Sequence, residues 1–287
     1  MPDARRPPRL MLVTDRRRTR RPLSELVAAA VAGGVDTVQL REPDLDPAAL
    51  LALATELLDV IGDRATLLVN RDLAVAARLG IGVHLPEAGP DPATARRQLG
   101  ADVLIGRSVH SAAAAATTTG VDCLLAGHVF ATVSKPGQPA LGLEGLRRIV
   151  AAAPIPVLAI GGIRRVTVAA TLATGAAGIA VIGAIAGAAD PRRAAADLRT
   201  AVDQAWEQRM DEPRAGETET GTSVTINGKP VSLPTGTSIT DFIADKGFTA
   251  EMVIVELNGE IVPRPDYPRT TLEAGDRLEV VHAVGGG

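Results

Sequence analysis

The sequence predicts an α/β protein, a (β/α)8 TIM barrel over residues 1–208 followed by a small β-grasp domain over 223–287. Three observations carry that prediction. Eight short apolar, β-branched runs alternate with Ala/Leu-rich segments of helical spacing. A polar stretch over 209–222, rich in Gly, Glu and Thr and without periodicity, then reads as a flexible linker. The remainder carries two Asn-Gly turn signals around one helical segment.

The eight runs are RLMLVTD, VDTVQLRE, ATLLVN, GVHL, VLIGRS, CLLAGHVF, PVLAIGG and GIAVIGA. Between them lie segments such as PLSELVAAAVAGG and DPAALLALATELLDVIG. Strands alternating with helices imply a parallel sheet, and continuous apolar strands imply burial on both faces. An open doubly wound sheet is the rival architecture, and the count of eight favours the barrel. Aromatics are only 2% of a chain that is 46% apolar, so the core must be built from Ala, Val, Leu and Ile. In the C-terminal part, SVTINGKPVSL reads as two strands around Asn-Gly. TSITDFIADKGF reads as a helix with Thr237 or Ser238 as N-cap and Gly247 as C-cap. MVIVELNGEIV and GDRLEVVHAVGGG complete a ββαββ order.

Composition narrows the function classes. A net charge of −3 argues against nucleic-acid binding, and the RRRTRR run at 16–21 reads as a solvated loop. A single cysteine excludes an internal disulfide framework and a cysteine-rich zinc site. No apolar run reaches membrane-spanning length, and the basic N-terminus lacks the apolar segment of a secretory signal. A soluble cytoplasmic protein is expected, with no membrane partner.

In a barrel, function collects where the strands end. That rule selects Thr14, Asp15, Gln39, Arg41, Asn70, His84, Arg107, Ser108, His128, Gly161, Gly162 and Gly183. The glycines close the last two runs, where barrels often hold phosphate on backbone N–H groups; tight turns are the plainer reading. Arg41 is either a fork for a carboxylate or phosphate, or a rim salt bridge with Glu42. His84 and His110 read as structural, and Cys123 as a small buried hydrophobe. His128 ends a core strand at the lip of a loop of small, hydroxylated residues, and imidazole both takes and gives protons near neutral pH. No Ser-His-Asp or HExxH spacing accompanies it, so hydrolase and zinc chemistry have little support. An isomerisation by proton transfer needs less.

Taken in order, LVTDR, VQLRE, GVHLPE, IGRSVH, GHVFATVSK, GLEGLRRI, VLAIGGI and GIAVIGAI resemble the thiamine phosphate synthase/TenI superfamily across residues 9–200. INGKPVSLP, VIVELNGEIVPR and LEAGDRLEVVHAVGGG resemble the ubiquitin-like sulfur carrier ThiS. The resemblance implies one of two activities. The synthase couples a pyrimidine pyrophosphate to a thiazole phosphate with Mg2+; TenI proteins aromatise a thiazole carboxylate phosphate tautomer without metal. Pro43 stands where the synthase has lysine, Arg71 follows Asn70 where it has aspartate, and HLPEAGP offers only Glu87 where it has an acidic run. His128 stands where the synthase has proline, as in the tautomerases.

The expectation is therefore a thiazole tautomerase with His128 as general acid/base and no cofactor. Arg41 would face the carboxylate, Gly161, Gly162 and Gly183 the phosphate, and Thr132, Ser134 and Lys135 would add contacts. Gly286 and Gly287 would end the sulfur carrier, with the Gly287 carboxylate converted to a thiocarboxylate. No GxxxxGK[ST] motif occurs, so an ATP-dependent, ThiF-like partner would adenylate it and a ThiG-like thiazole synthase would accept the sulfur. An Mg2+-dependent synthase fused to a carrier, and a non-catalytic barrel serving as a docking platform, are the alternatives. Homo-oligomerisation stays open.

Overall fold

The computed structural model describes residues 7–133, 135, 137–211 and 221–282. All eight expected barrel strands form: β1 (Leu10–Val13), β2 (Thr37–Leu40), β3 (Thr66–Asn70), β4 (Gly82–Leu85), β5 (Ile105–Val109), β6 (Cys123–Gly127), β7 (Val157–Ile160) and β8 (Gly178–Val181). Each pairs in parallel with the next, and β8 closes on β1 through Leu10↔Ile179, Met11↔Ala180 and Leu12↔Val181. Closure removes the exposed edges that an open sheet would leave. Met11, Val13, Leu68, Cys123, Leu125, Leu158 and Ala180 fill the interior as one cluster. The barrel interior is thus a packed core.

Helices α1 (Leu23–Ala32), α2 (Pro47–Ile61), α3 (Leu73–Leu79), α4 (Pro92–Leu99), α5 (Ala112–Thr117), α6 (Gly142–Ala152), α7 (Val168–Leu172), α8 (Gly183–Ala186) and α9 (Pro191–Asp211) follow the strands. Their starts are written locally. Asp46, Asp72, Asp91 and Ser111 accept the backbone N–H of Ala49, Val75, Thr94 and Ala114, satisfying donors that the first helical turn leaves open. Pro47 and Pro92 begin α2 and α4, where a missing N–H costs nothing.

The chain divides into two compact units at Asp203/Gln204. In the second, β9 (Gly221–Ile226), β10 (Lys229–Pro234), β11 (Val253–Leu257), β12 (Glu260–Val262) and β13 (Arg277–His282) form a sheet in the order β10-β9-β13-β11-β12. The pairing of β13 with β9 is parallel and the rest antiparallel, the mixed sheet expected of a β-grasp. Helix α10 (Ile239–Asp245) packs Ile239, Phe242 and Ile243 into the core. Ser238, rather than Thr237, is its N-cap, in a reciprocal capping box with Asp241. The sheet has five strands where the sequence suggested four. Asn258 (φ 55) and Gly259 (φ 92) make a tight turn that splits VIVELNGEIV into β11 and β12.

Of the segment expected as a linker, 209–222, the first three residues belong to α9 and the last two to β9. Helix α9 continues to Asp211, and residues 212–220 lie outside the described residues, as do Ser134, Gly286 and Gly287. Tertiary contacts extend the helix. Trp206 is fully buried against Phe248, with ring centroids 4.4 Å apart, and the Arg209 guanidinium donates to the Lys246 carbonyl at 2.9 Å. These partners lie some forty residues downstream, so local composition does not reveal them. No helix among the described residues is long and apolar enough to cross a membrane.

Candidate active site

A cavity of about 1500 Å3 opens at the C-terminal ends of the strands. Its wall includes Arg41, His128, Thr132, Lys135, Gly161, Gly162 and Gly183, which the sequence assigned to catalysis or substrate binding. Thr14 and Arg107 do not line it. Thr14 is buried and braces two loops: its hydroxyl donates to Glu42 at 2.7 Å and accepts the Arg41 N–H at 2.9 Å. Arg107 donates to the carbonyls of Glu87 (2.6 Å) and Pro90 (3.4 Å), fixing the loop after β4.

His128 is 7% exposed and follows the last residue of β6. Strand alternation would group it with Leu124 and Ala126, away from the interior face of Cys123 and Leu125. The strand ends at Gly127, alternation lapses, and the imidazole lines the cavity. Its Nε2 lies 3.2 Å from the Gln138 carbonyl. A carbonyl only accepts, so the neutral ring carries its proton on Nε2 and keeps Nδ1 as the basic nitrogen.

The glycine pair has a reason that sequence left open. A Cβ on Gly161 (φ 101) would lie 2.3 Å from His128 Cβ, and one on Gly162 (φ 68) 2.6 Å from the Ala131 carbonyl oxygen. Residues 128–131 lie directly over the turn, tied by Val129 N–H to Ile160 O and Phe130 N–H to Gly161 O, both 2.9 Å. These glycines admit the histidine loop. Gly183 differs: a Cβ there would meet only an Arg18 nitrogen, at 3.8 Å, so its backbone borders open space.

The alternative pairing of Arg41 with Glu42 does not form. The Glu42 carboxylate takes the Thr14 hydroxyl, the Arg16 N–H and the Arg16 guanidinium, and Arg41 has no acidic partner among the described residues. His84 is buried, with Nε2 2.8 Å from the Ser108 hydroxyl. Burial first, and the Arg41 charge second, push its pKa down to about 3, so it is neutral. His110, expected to pack or cap, does neither: Ser111 caps α5, and His110 stands exposed with Nδ1 2.7 Å from Glu87 and Nε2 3.4 Å from Lys135 Nζ. Cys123 is buried and its pKa is pushed up to about 12 by desolvation first, so it is no nucleophile.

Four carboxylates near the mouth are engaged. Asp72 caps α3, Glu87 holds His110, Asp15 pairs with Arg18 at 3.0 Å, and Glu42 braces the loop after β1. Among the described residues no three His, Cys, Asp or Glu side chains cluster as metal ligands. Sequence reasoning missed Arg18, the Glu87–His110 pair and Arg71 as members of the wall. Their strand-end positions were the available signal.

Fold and rim together define a (β/α)8 barrel with one polar, cation-rich mouth. Residues 10–185 match the family model TMP-TENI, described as thiamine monophosphate synthase, and residues 222–287 match the ThiS family. The chain belongs to the TMP-TENI family and carries a ThiS-family domain at its C-terminal end, which places it in thiamine biosynthesis. A thiamine-phosphate synthase of Thermobifida fusca is 44% identical over 199 residues, 67% of this chain and 90% of that protein. One of Moorella thermoacetica is 39% identical over 191 residues, 64% and 90% respectively. A solved thiamine phosphate pyrophosphorylase from Pyrococcus furiosus superposes with a TM-score of 0.62 at 35% identity, covering 69% of this chain and 96% of its own.

Proposed function

We propose that the barrel aromatises a thiazole carboxylate phosphate tautomer by proton transfer through His128. The observation that carries this reading is the imidazole itself. It lines the cavity, its Nε2–H is directed at the Gln138 carbonyl, and Nδ1 remains as the base. His128 removes a proton from one carbon of the non-aromatic ring system and returns it to another, so the reaction is proton-neutral. Aromatisation drives it, and general acid–base catalysis contributes about 10²–10⁴-fold. The open backbone at Gly183, with Arg18 beside it, suits the phosphate, as do the turns at Gly161 and Gly162. Arg41 faces the carboxylate, and Thr132 and Lys135 add polar contacts from the loop after β6. Ser134 is assigned the same role by its place in that loop.

A second reading is an Mg2+-dependent thiamine phosphate synthase, and the names of the relatives favour it. The engagement of Asp72 and Glu87 by other groups weighs against it. One assay separates the readings. The purified protein is given the thiazole tautomer alone, then Mg2+, thiazole phosphate and pyrimidine pyrophosphate. Metal-independent appearance of the aromatic thiazole supports the tautomerase; coupling of the two heterocycles only with Mg2+ supports the synthase. Neither product would leave the barrel as a docking platform.

For the C-terminal domain the proposal is sulfur carriage. The match to ThiS runs to residue 287, and a Gly-Gly end has no side chains to obstruct a narrow partner site. An ATP-dependent, ThiF-like enzyme would adenylate the Gly287 carboxylate with release of pyrophosphate, and a sulfide-level sulfur donor would displace AMP to leave the thiocarboxylate. A ThiG-like thiazole synthase would then take the sulfur. Intact-mass spectrometry after incubation with such an activating enzyme would detect replacement of oxygen by sulfur at Gly287. A chain extended by one residue should remain unmodified.

A further inference from the structure

Arg71 is out of character for its place in the chain. It directly follows β3 with φ 70, in the left-handed region. Only two other non-glycine residues among those described share this property, Asn227 and Asn258, and both sit in tight hairpin turns that favour asparagine. Arginine has no such local preference, and glycine would occupy the site without strain. A long cationic side chain kept at a strained backbone position argues that the side chain is what is needed there.

Its surroundings say for what. The Arg71 N–H donates to the His84 carbonyl at 2.9 Å, so the backbone is fixed against β4. The guanidinium is exposed on the cavity wall and has no acidic partner among the described residues. Asp72 does not neutralise it, because that carboxylate caps α3. On the neighbouring strand, the register Leu40↔Val69 sets Arg41 level with Asn70, one residue before Arg71. Beneath them Gln39, 2% exposed and on the same cavity wall, has a side-chain Nε2 without an acceptor. A buried amide donor left unsatisfied is costly, and a bound acceptor would relieve it. Two guanidinium groups and one amide N–H, all donors, call for an anion with more than one oxygen.

We propose that Arg71 is the specificity-determining residue on the β2–β3 side of the mouth, where it joins Gln39 and Arg41 in holding the ligand's carboxylate. The nature of the ligand rests on the function proposed above; the subsite itself rests on these three donors. A pyrophosphate offers the same oxygen chemistry, so the test carries it as a separate probe.

The experiment is calorimetric binding to the full-length chain, with no turnover required. The probes are the carboxylated thiazole phosphate, the same phosphate lacking the carboxylate, and inorganic pyrophosphate. The variants are Arg71→Gly and Arg71→Asn, which both tolerate the left-handed backbone and should unfold thermally at or above the parent temperature. Loss of a charge-assisted fork should weaken the carboxylated probe at least about 10-fold and leave the decarboxylated one unchanged. Equal weakening of both thiazoles, or no weakening of the carboxylated one, would overturn the proposal. So would loss of pyrophosphate binding with carboxylate binding retained. If the tautomer is not turned over but this binding pattern appears, the tautomerase reading fails and the subsite stands.

Discussion

The two ends of the barrel differ in how they use arginine. At the N-terminal end, acid–arginine pairs hold the strand starts. Asp122 accepts from the Arg96 guanidinium at 2.6 Å and from the Ile105 N–H at 2.7 Å, and Arg96 also donates to the carbonyls of Gly100, Ala101 and Val103. Asp36 accepts the N–H groups of Arg9 and Leu10 and pairs with Arg199 at 3.3 Å, which in turn holds Asp203 at 2.9 Å. At the C-terminal end Arg41 and Arg71 have no acid beside them. Pairing at the base ties loops to strand starts and serves stability. Unpaired cations at the rim gain nothing within the fold and are available to a ligand.

The comparison can be broken most sharply at His128. His128→Asn should lower tautomer turnover by about 10²–10⁴-fold while the unfolding temperature stays close to the parent's. Steady-state kinetics and calorimetry on the same preparation check both halves. A large loss of stability with unchanged turnover would move His128 from the chemistry to the scaffold.

Asp122→Ala tests the base. Removing the carboxylate leaves the Ile105 N–H without its acceptor and Arg96 with only its carbonyl partners, which should cost about 1–3 kcal/mol of unfolding free energy. Turnover per folded molecule should not change, as denaturant titration and kinetics below the unfolding transition would reveal.

His84 connects the two behaviours, being a rim residue whose contribution is to stability. Its folded pKa, about 3, lies below the ordinary 6.5, so below pH 6.5 the unfolded chain takes a proton that the folded chain refuses. This stabilising contribution is complete above pH 6.5 and is lost progressively down to about pH 3. Between pH 6.5 and 5 it should amount to about 2 kcal/mol. His84→Asn should abolish that part of the pH slope in denaturant titrations, whatever its uniform cost.

The smallest effect is expected at Arg41. With no acid to lose, Arg41→Gln should change stability by no more than about 0.5 kcal/mol. It should weaken binding of the carboxylated thiazole phosphate and let the His84 pKa rise, because the nearby positive charge is gone. NMR titration of the imidazole reads the second effect.

The strand count, the helix caps at Asp46, Asp72 and Asp91, and both Asn-Gly turns were legible because each is specified by residues a few positions apart. Strand ends also nominated Arg41, His128 and the glycines, since a closed parallel barrel collects all eight ends on one face. Partners distant in sequence were not legible. Trp206 meets Phe248, His110 meets Glu87, and Glu42 is taken by Thr14 and Arg16 instead of Arg41. Gly161 and Gly162 could be read as anion turns, but their close approach to residues 128–131 appears only once β6 and β7 lie side by side.

The sequence by itself determined the architecture and the family, and it nominated His128 for the rim, because periodicity, capping and motif order are local properties of the chain. Tertiary structure decided which charges are spent and which are free. Pairing depends on distances across the barrel, and only closure of the sheet sets those distances.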